Sequence, residues 1–240
     1  MGNKQSGQLQ KDESLHGNLI QTKNKLEDEY NVVEEALASG TATQIKQATM
    51  KKYTKTQRTS GVAIKLYDGK AEIPPDLKKE ALILGRCDHP NIVKLFEVAT
   101  INKRQSLVLE LCTGGRLLDR LPFTEAQASH VMRQLCSAVS YLHKHNVVHR
   151  DIECANILYT TKADDADIKL IDFGCATELD LVPGKPGAFK FLNEKTGSLH
   201  IMAPEVIRKR YGPKADVWSI GIVAYMLLSN GKHPFTGSTV

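Results

Sequence analysis

Residues 149–156, HRDIECAN, leave this chain the fewest alternatives. They set Arg150 and an acid, Asp151, just ahead of an amide, Asn156. The segment comes directly after a long amphipathic run ending at residues 143–146. A second acid follows in Asp172-Phe173-Gly174. The rest of the chain is ordered around that loop.

Composition narrows the class. A length of 240 residues allows one large or two small domains. With 41% hydrophobic and 25% charged residues the chain reads as globular, with enough material for a substantial core. The net charge of +5 comes from 32 basic and 27 acidic residues, without the dense Lys/Arg block that marks a nucleic-acid or lipid surface, so no nucleic-acid partner is expected. Lys51-Lys52, Lys78-Lys79 and residues 208–210 read as solvated faces. Cys87, Cys112, Cys136, Cys154 and Cys175 form no CxxC pair and follow no secretory signal, which predicts reduced thiols in a cytosolic protein. The longest apolar run, 217–228, is too short and interrupted to span a bilayer.

Local patterns place the elements. Residues 30–45 read as a strand, a turn and the start of a second strand. Val62-Ala63-Ile64-Lys65 is an apolar strand ending in a cation. In residues 74–85, Pro74-Pro75, then Leu77, Ala81 and Leu84 at helical spacing, then Gly85, predict a short amphipathic helix. Residues 105–111 read as another strand. Thr124 and Gln127 form a capping box that opens a long helix. Its buried face is expected to carry Ala128, Val131, Met132, Leu135, Val139 and Leu142, and its Met and Cys residues read as core. Pro183, Gly184, Pro186 and Gly187 predict a mobile loop within 175–202.

In that order these segments resemble a eukaryotic protein kinase domain of the Ser/Thr type, most like the calcium/calmodulin-dependent and calcium-dependent group. The shared motifs are VAIK at 62–65, HPNIV at 89–93, CTGGRL at 112–117, HRDIECAN, DFG, APE at 203–205 and DVWSIG at 216–221. The resemblance covers residues 30–240. It implies an α+β, bilobal fold with a small β-rich lobe at 30–109, a hinge at 110–112 and a helical large lobe at 113–240, truncated after its central helix. It implies ATP and Mg²⁺ as cofactors and a protein as substrate. Lys65 would hold the α- and β-phosphates, with Glu80 as its partner. Asp151 would take or orient the proton of the substrate hydroxyl, and Asn156 and Asp172 would bind Mg²⁺. Ala38 and Gly40 would lie in the loop over the phosphates. Ile45, Ala63, Leu117 and Leu158 would sandwich adenine, with Val223 and Leu227 completing that side. Leu109 would gate the pocket, and the backbone of Glu110 to Cys112 would bind the ring edge. Leu84, Leu95, His149 and Phe173 would stack between the lobes, and Asp216 would brace the catalytic loop. Arg150 would pair with a phosphate placed by an upstream kinase on Thr177, Thr196 or Ser198.

Three departures leave alternatives open. The glycine-rich loop keeps only Gly40, with Thr43 at a glycine position. Arg116 replaces an acid that contacts ribose and basic substrates. Glu153 stands where the family has a lysine near the γ-phosphate; loss of one such donor costs about a hundred- to a thousand-fold in rate. The readings are therefore an active Ser/Thr kinase, a pseudokinase or scaffold module that keeps the fold, and a truncated product with an exposed apolar seam. No EF-hand loop pattern is present to support calcium sensing within the chain.

Residues 1–29 read as a disordered polar tail. Its start, MGNKQS, also fits the N-myristoylation pattern at Gly2. One acyl chain anchors only marginally. Lys4, Lys11, Lys23 and Lys25 are offset by Asp12, Glu13, Glu27, Asp28 and Glu29. The expectation is a cytoplasmic protein whose membrane association through Gly2 is weak and reversible.

Overall fold

The computed structural model describes residues 30–39, 43–51, 61–67, 74–101 and 104–236. The candidate residue Gly40 and the tail at 1–29, with Gly2, lie outside the described residues.

Strands β1 (Tyr30–Ser39), β2 (Thr43–Met50), β3 (Gly61–Tyr67), β4 (Leu95–Ile101) and β5 (Arg104–Glu110) form one antiparallel sheet in the order β1-β2-β3-β5-β4. Alternation decides what each face carries. Val62, Ile64 and Leu66 of β3 join Ala48, Ala99 and Val108 in a core on one side. Tyr67, Leu107 and Leu109 turn to the other side, where helix α1 (Pro75–Leu84) covers them with Leu77, Ala81 and Leu84. Lys65, between Ile64 and Leu66, falls on the α1 side. A one-residue slip in register would turn its ammonium into the opposite core. Pro75 starts α1 at a position where the missing amide costs nothing.

Helix α2 (Glu125–Lys144) begins with the expected capping box, in which the Gln127 amide donates to Thr124 Oγ1 at 3.2 Å and the Thr124 amide to Gln127 Oε1 at 2.9 Å. Ala128, Val131, Leu135, Ala138, Val139 and Leu142 are buried. Met132 is only half-buried, and Cys136, expected in the core, is exposed. Cys136 follows Leu135 by about 100° around the helix and so leaves the apolar stripe. The short pairs β6 (Val147–Val148) with β9 (Thr177–Glu178), and β7 (Ile157–Tyr159) with β8 (Ile168–Leu170), fix the loops between them.

Helix α3 (Pro204–Ile207) precedes α4 (Lys214–Leu228). Expected as a buried central helix, α4 buries Ala215, Asp216, Ser219, Ile222, Val223 and Leu227 but exposes Val217, Tyr225 and Leu228. It is apolar on all sides, and the described residues cover one of them. With the antiparallel sheet segregated from the helices, the architecture is α+β and consistent with the bilobal expectation. The two parts are stitched at Asn91–Val93. The Val93 amide donates to Leu170 O at 3.0 Å, the Leu170 amide to Asn91 O at 2.9 Å, and Asn91 Nδ2 to Ile168 O at 3.0 Å.

Candidate active site

Lys65 reaches three carboxylate oxygens. Its Nζ donates to Glu80 Oε1 and Oε2, each at 2.9 Å, and to Asp172 Oδ1 at 2.8 Å. Glu80 is 1% exposed because it lies on the buried face of α1 between Leu77 and Leu84. The Tyr67 hydroxyl also donates to Glu80 Oε2. Burial works against the Lys65 ammonium, but Glu80 and then Asp172 outweigh it, and its pKa is raised. Crowding by the cleft walls opposes the Asp172 charge, and Lys65 together with the Gly174 amide holds its pKa below the ordinary value. Burial, then the Glu80 charge, pushes the Tyr67 phenol far up, so it remains a donor. A methyl at Gly174 would sit 3.2 Å from Asp172 Oδ1, inside this arrangement.

The loop after α2 is hung on Asp216. Its Oδ2 accepts the His149 amide at 2.9 Å, its Oδ1 accepts the Arg150 amide at 2.8 Å, and His143 Nε2 lies 2.8 Å from Oδ2. These bonds hold Arg150 at φ 69, a left-handed conformation that disfavours a long side chain. His149 is fully buried with its ring 4.7 Å from Phe173, edge to face. Its Nδ1 accepts the Asp151 amide at 3.3 Å and its Nε2 lies 3.3 Å from Ile171 O, which calls for the neutral Nε2–H tautomer. Burial lowers its pKa and keeps it neutral.

Asp151 and Asn156 meet directly. Asn156 Nδ2 donates to Asp151 O at 2.9 Å and Oδ2 at 3.0 Å, and the Ser198 amide donates to Asp151 Oδ1 at 2.8 Å. Asn156 Oδ1 and Asp172 Oδ2 remain as oxygen donors without a hydrogen bond among the described residues. Such donors suit Mg²⁺, which takes one or two protein ligands and completes its shell with phosphate and water. Among the described residues no group of three or more His, Cys, Asp or Glu is preassembled for a metal.

The adenine candidates are placed by strand pairing and by the core around Lys65. Ala63 and Leu109 are cross-strand partners, and Ile45 pairs with Lys65 and with Ala38. Leu117 is fully buried, and Leu109, Leu117, Val223 and Leu227 share one cluster with Ala63 against it. Leu158 is half-buried and bridges to Arg116. The hinge amides differ in what they are bound to. The Glu110 amide is already bound to Lys94 O at 2.9 Å and its carboxylate to Lys169 at 2.8 Å, whereas among the described residues no backbone hydrogen bond uses the Cys112 amide. Cys112 is thus the hinge candidate with a free donor; burial pushes its thiol up to about 12.

Arg150 already has a carboxylate partner. Its Nη1 donates to Glu194 Oε2 at 2.9 Å and its Nε to Cys175 O at 2.6 Å, while the Tyr211 hydroxyl holds Glu194 O at 2.8 Å. The hydrogen bond from Arg150, then its charge, lowers the Glu194 pKa. Sequence reasoning missed Glu194; the available signal was an acid shortly before Gly197. Thr177, Thr196 and Ser198 are all half-buried, and Thr196 Oγ1 donates to Cys175 Sγ at 3.3 Å. Glu153 is half-buried beside Asp151 and has no ion-pair partner among the described residues. Burial, then the Asp151 charge, raises its pKa, while a hydrogen bond from Ser198 and the nearby His200 pull it down. Arg116 is exposed.

Residues 30–240 match the family model of the protein kinase domain. The chain is similar to calcium-dependent protein kinase 5 of Plasmodium falciparum (isolate 3D7), 36% identical over 224 residues covering 91% of this chain and 37% of that protein. It is similar to calcium-dependent protein kinase 3 of Plasmodium yoelii yoelii, 35% identical over 230 residues, 94% of this chain and 41% of that one. Calcium-dependent protein kinase 14 of Arabidopsis thaliana is 41% identical over 169 residues, 68% of this chain and 30% of its own length. The chain thus spans 30% to 41% of the length of these curated relatives.

Proposed function

The chain belongs to the protein kinase domain family, and from that premise we propose that it transfers the γ-phosphoryl group of ATP to a serine or threonine hydroxyl of a protein. The observation that supports this most is Lys65 clasped between Glu80 and Asp172, residues 107 apart from Lys65 in the second case, at 2.8–2.9 Å. Glu80 aims the ammonium at the α- and β-phosphates. Asn156 Oδ1 and Asp172 hold Mg²⁺, which when bound draws charge off the phosphates. Asp151, fixed through one oxygen by Asn156 and through the other by the Ser198 amide, accepts the hydroxyl proton. The hydroxyl oxygen bonds to the γ-phosphorus as the bond to the β–γ bridging oxygen breaks, and ADP leaves. The Cys112 amide and the apolar walls around Ala63 and Leu117 position the adenine.

A second reading rests on Glu153. A carboxylate beside Asp151 with no ion-pair partner among the described residues repels phosphate, which favours a module that keeps the fold and nucleotide binding with little catalysis. Mg-ATP phosphotransfer to a generic protein substrate separates the two, using the parent, Asp151→Asn and Glu153→Lys. Transfer by the parent that Asp151→Asn abolishes supports the kinase. Nucleotide binding without any transfer leaves the module.

We extend the proposal to regulation and location. An upstream kinase would act on Thr177, Thr196 or Ser198 after the segment opens, which phosphopeptide mass spectrometry of the protein from its native cell would reveal. A cytoplasmic protein with an acyl chain on Gly2 would bind membranes weakly; Gly2→Ala should abolish incorporation of labelled myristate by an N-myristoyltransferase.

A further inference from the structure

Residues 180–192 fold back on themselves. The Val182 amide donates to Ala188 O at 2.9 Å and the Lys190 amide to Asp180 O at 2.8 Å. The hairpin lies along the turn before α4, where Leu192 and Tyr211 exchange backbone bonds at 2.9 and 3.1 Å. The Phe189 ring fills the space at Gly212, where a Cβ would come within 2.5 Å of it. The Arg210 guanidinium sits 4.4 Å above the ring of Phe191, which is 54% exposed. Leu181 and Leu199 are exposed as well.

The charges on this surface are unequal. Residues 178–214 hold seven Lys/Arg and four Asp/Glu. Of the acids, Glu178 is bound to Arg86, Glu194 to Arg150, and Asp180 lies 3.6 Å from Lys190; the fourth, Glu205, is half-buried and has no ion-pair partner among the described residues. Lys185, Lys195, Arg208, Lys209, Arg210 and Lys214 are all exposed, and none has a carboxylate within ion-pair distance among the described residues. The face runs to the catalytic loop through Tyr211, Glu194 and Arg150.

We propose that this face docks an acidic segment of the protein substrate, with carboxylates among the unpaired cations and an apolar side chain against Phe191. The inference rests on the kinase reading, because a protein that brings its hydroxyl to Asp151 must lay neighbouring chain across this surface. Unpaired cations beside an exposed aromatic ring complement carboxylates interleaved with apolar residues.

The test uses the full chain and three labelled short peptides with one serine each, flanked by acidic, neutral or basic residues. Fluorescence anisotropy reads binding without requiring catalysis. The acidic peptide should bind about tenfold tighter than the neutral one, with the difference shrinking as salt rises. The double variants Lys185→Glu/Lys195→Glu and Arg208→Glu/Arg210→Glu should each weaken it about fivefold or more while leaving phosphorylation of the neutral peptide unchanged. The inference is overturned if the neutral or basic peptide binds as tightly, or if both variants bind the acidic peptide like the parent. It is equally overturned if polyuridine or phosphatidylserine vesicles, at matched charge, displace the acidic peptide from the parent, which would reassign the face to RNA or membrane. Acidic-peptide binding without phosphotransfer would uphold the docking face and remove the catalytic reading.

Discussion

At Glu153 the charge of the candidate site is out of balance. Its folded pKa is raised, by burial and then by Asp151, so the folded state favours the neutral form. The resulting penalty is absent below the ordinary carboxylate pKa and sets in as pH rises through the raised value. Glu153→Gln should therefore raise the melting temperature at neutral pH, by no more than about 2 °C given solvent screening, and the difference should vanish in acid. Glu153→Lys should speed phosphotransfer by about a hundredfold, read as initial rate at saturating Mg-ATP. Lys65 gives the opposite case. Lys65→Ala would strand the buried Glu80 carboxylate and cost about 3–5 kcal/mol in urea unfolding, whereas the Lys65→Ala/Glu80→Gln pair should recover part of that loss. At this scale Lys65, Asp151, Asn156 and Asp172 could be picked out because each stands in a short motif of restricted spacing, and Glu80 because it falls on the predicted helix that follows the Lys65 strand. Glu194 and the spent Glu110 amide were not legible, because their partners, Arg150 and Lys94, are chosen by how the chain folds back.

Among the elements, local chemistry told most where it was periodic or capped. The stripe from Ala128 to Leu142 and the Thr124–Gln127 box place α2, and alternation in Val62–Lys65 orients β3. Residues 175–202 have no such period. Pro183, Gly184, Pro186 and Gly187 suggest a loop, yet its ladder to Ala188 and its seat on Tyr211 depend on contacts the sequence does not encode locally. Two substitutions test what holds that segment. Glu194→Ala removes the carboxylate clamped by Arg150, and trypsin should then cut after Lys190 and Lys195 about tenfold faster, since cleavage follows the population of the opened segment. Gly197 has φ +88, and a Cβ there would lie 2.3 Å from Arg150 O. Gly197→Ala should abolish phosphotransfer and lower the melting temperature by about 4 °C or more, because the Ser198 amide could no longer reach Asp151.

For the whole molecule, the α+β arrangement was legible through family resemblance, since composition and periodicity alone allow many layered folds. The exposed side of α4 was not, because a helix apolar all round does not announce which side its neighbours cover. The stitch between Asn91–Val93 and Leu170 pairs segments far apart in the chain, which no local pattern reveals. On the proposed function, the Lys65–Asp172 contact would link nucleotide and metal binding thermodynamically. Lys65 cannot serve phosphate fully while it neutralises Asp172, and a divalent cation on Asp172 would release it. Each ligand would then prepare the place of the other, and any factor by which Mg²⁺ tightens ADP must equal that by which ADP tightens Mg²⁺. Calorimetric titration should show roughly tenfold coupling in the parent and close to none in Asp172→Asn; equal coupling in both would mean that the lysine does not exchange partners. On that coupling the clasp would act as a reciprocal toggle, set to one ligand by the arrival of the other.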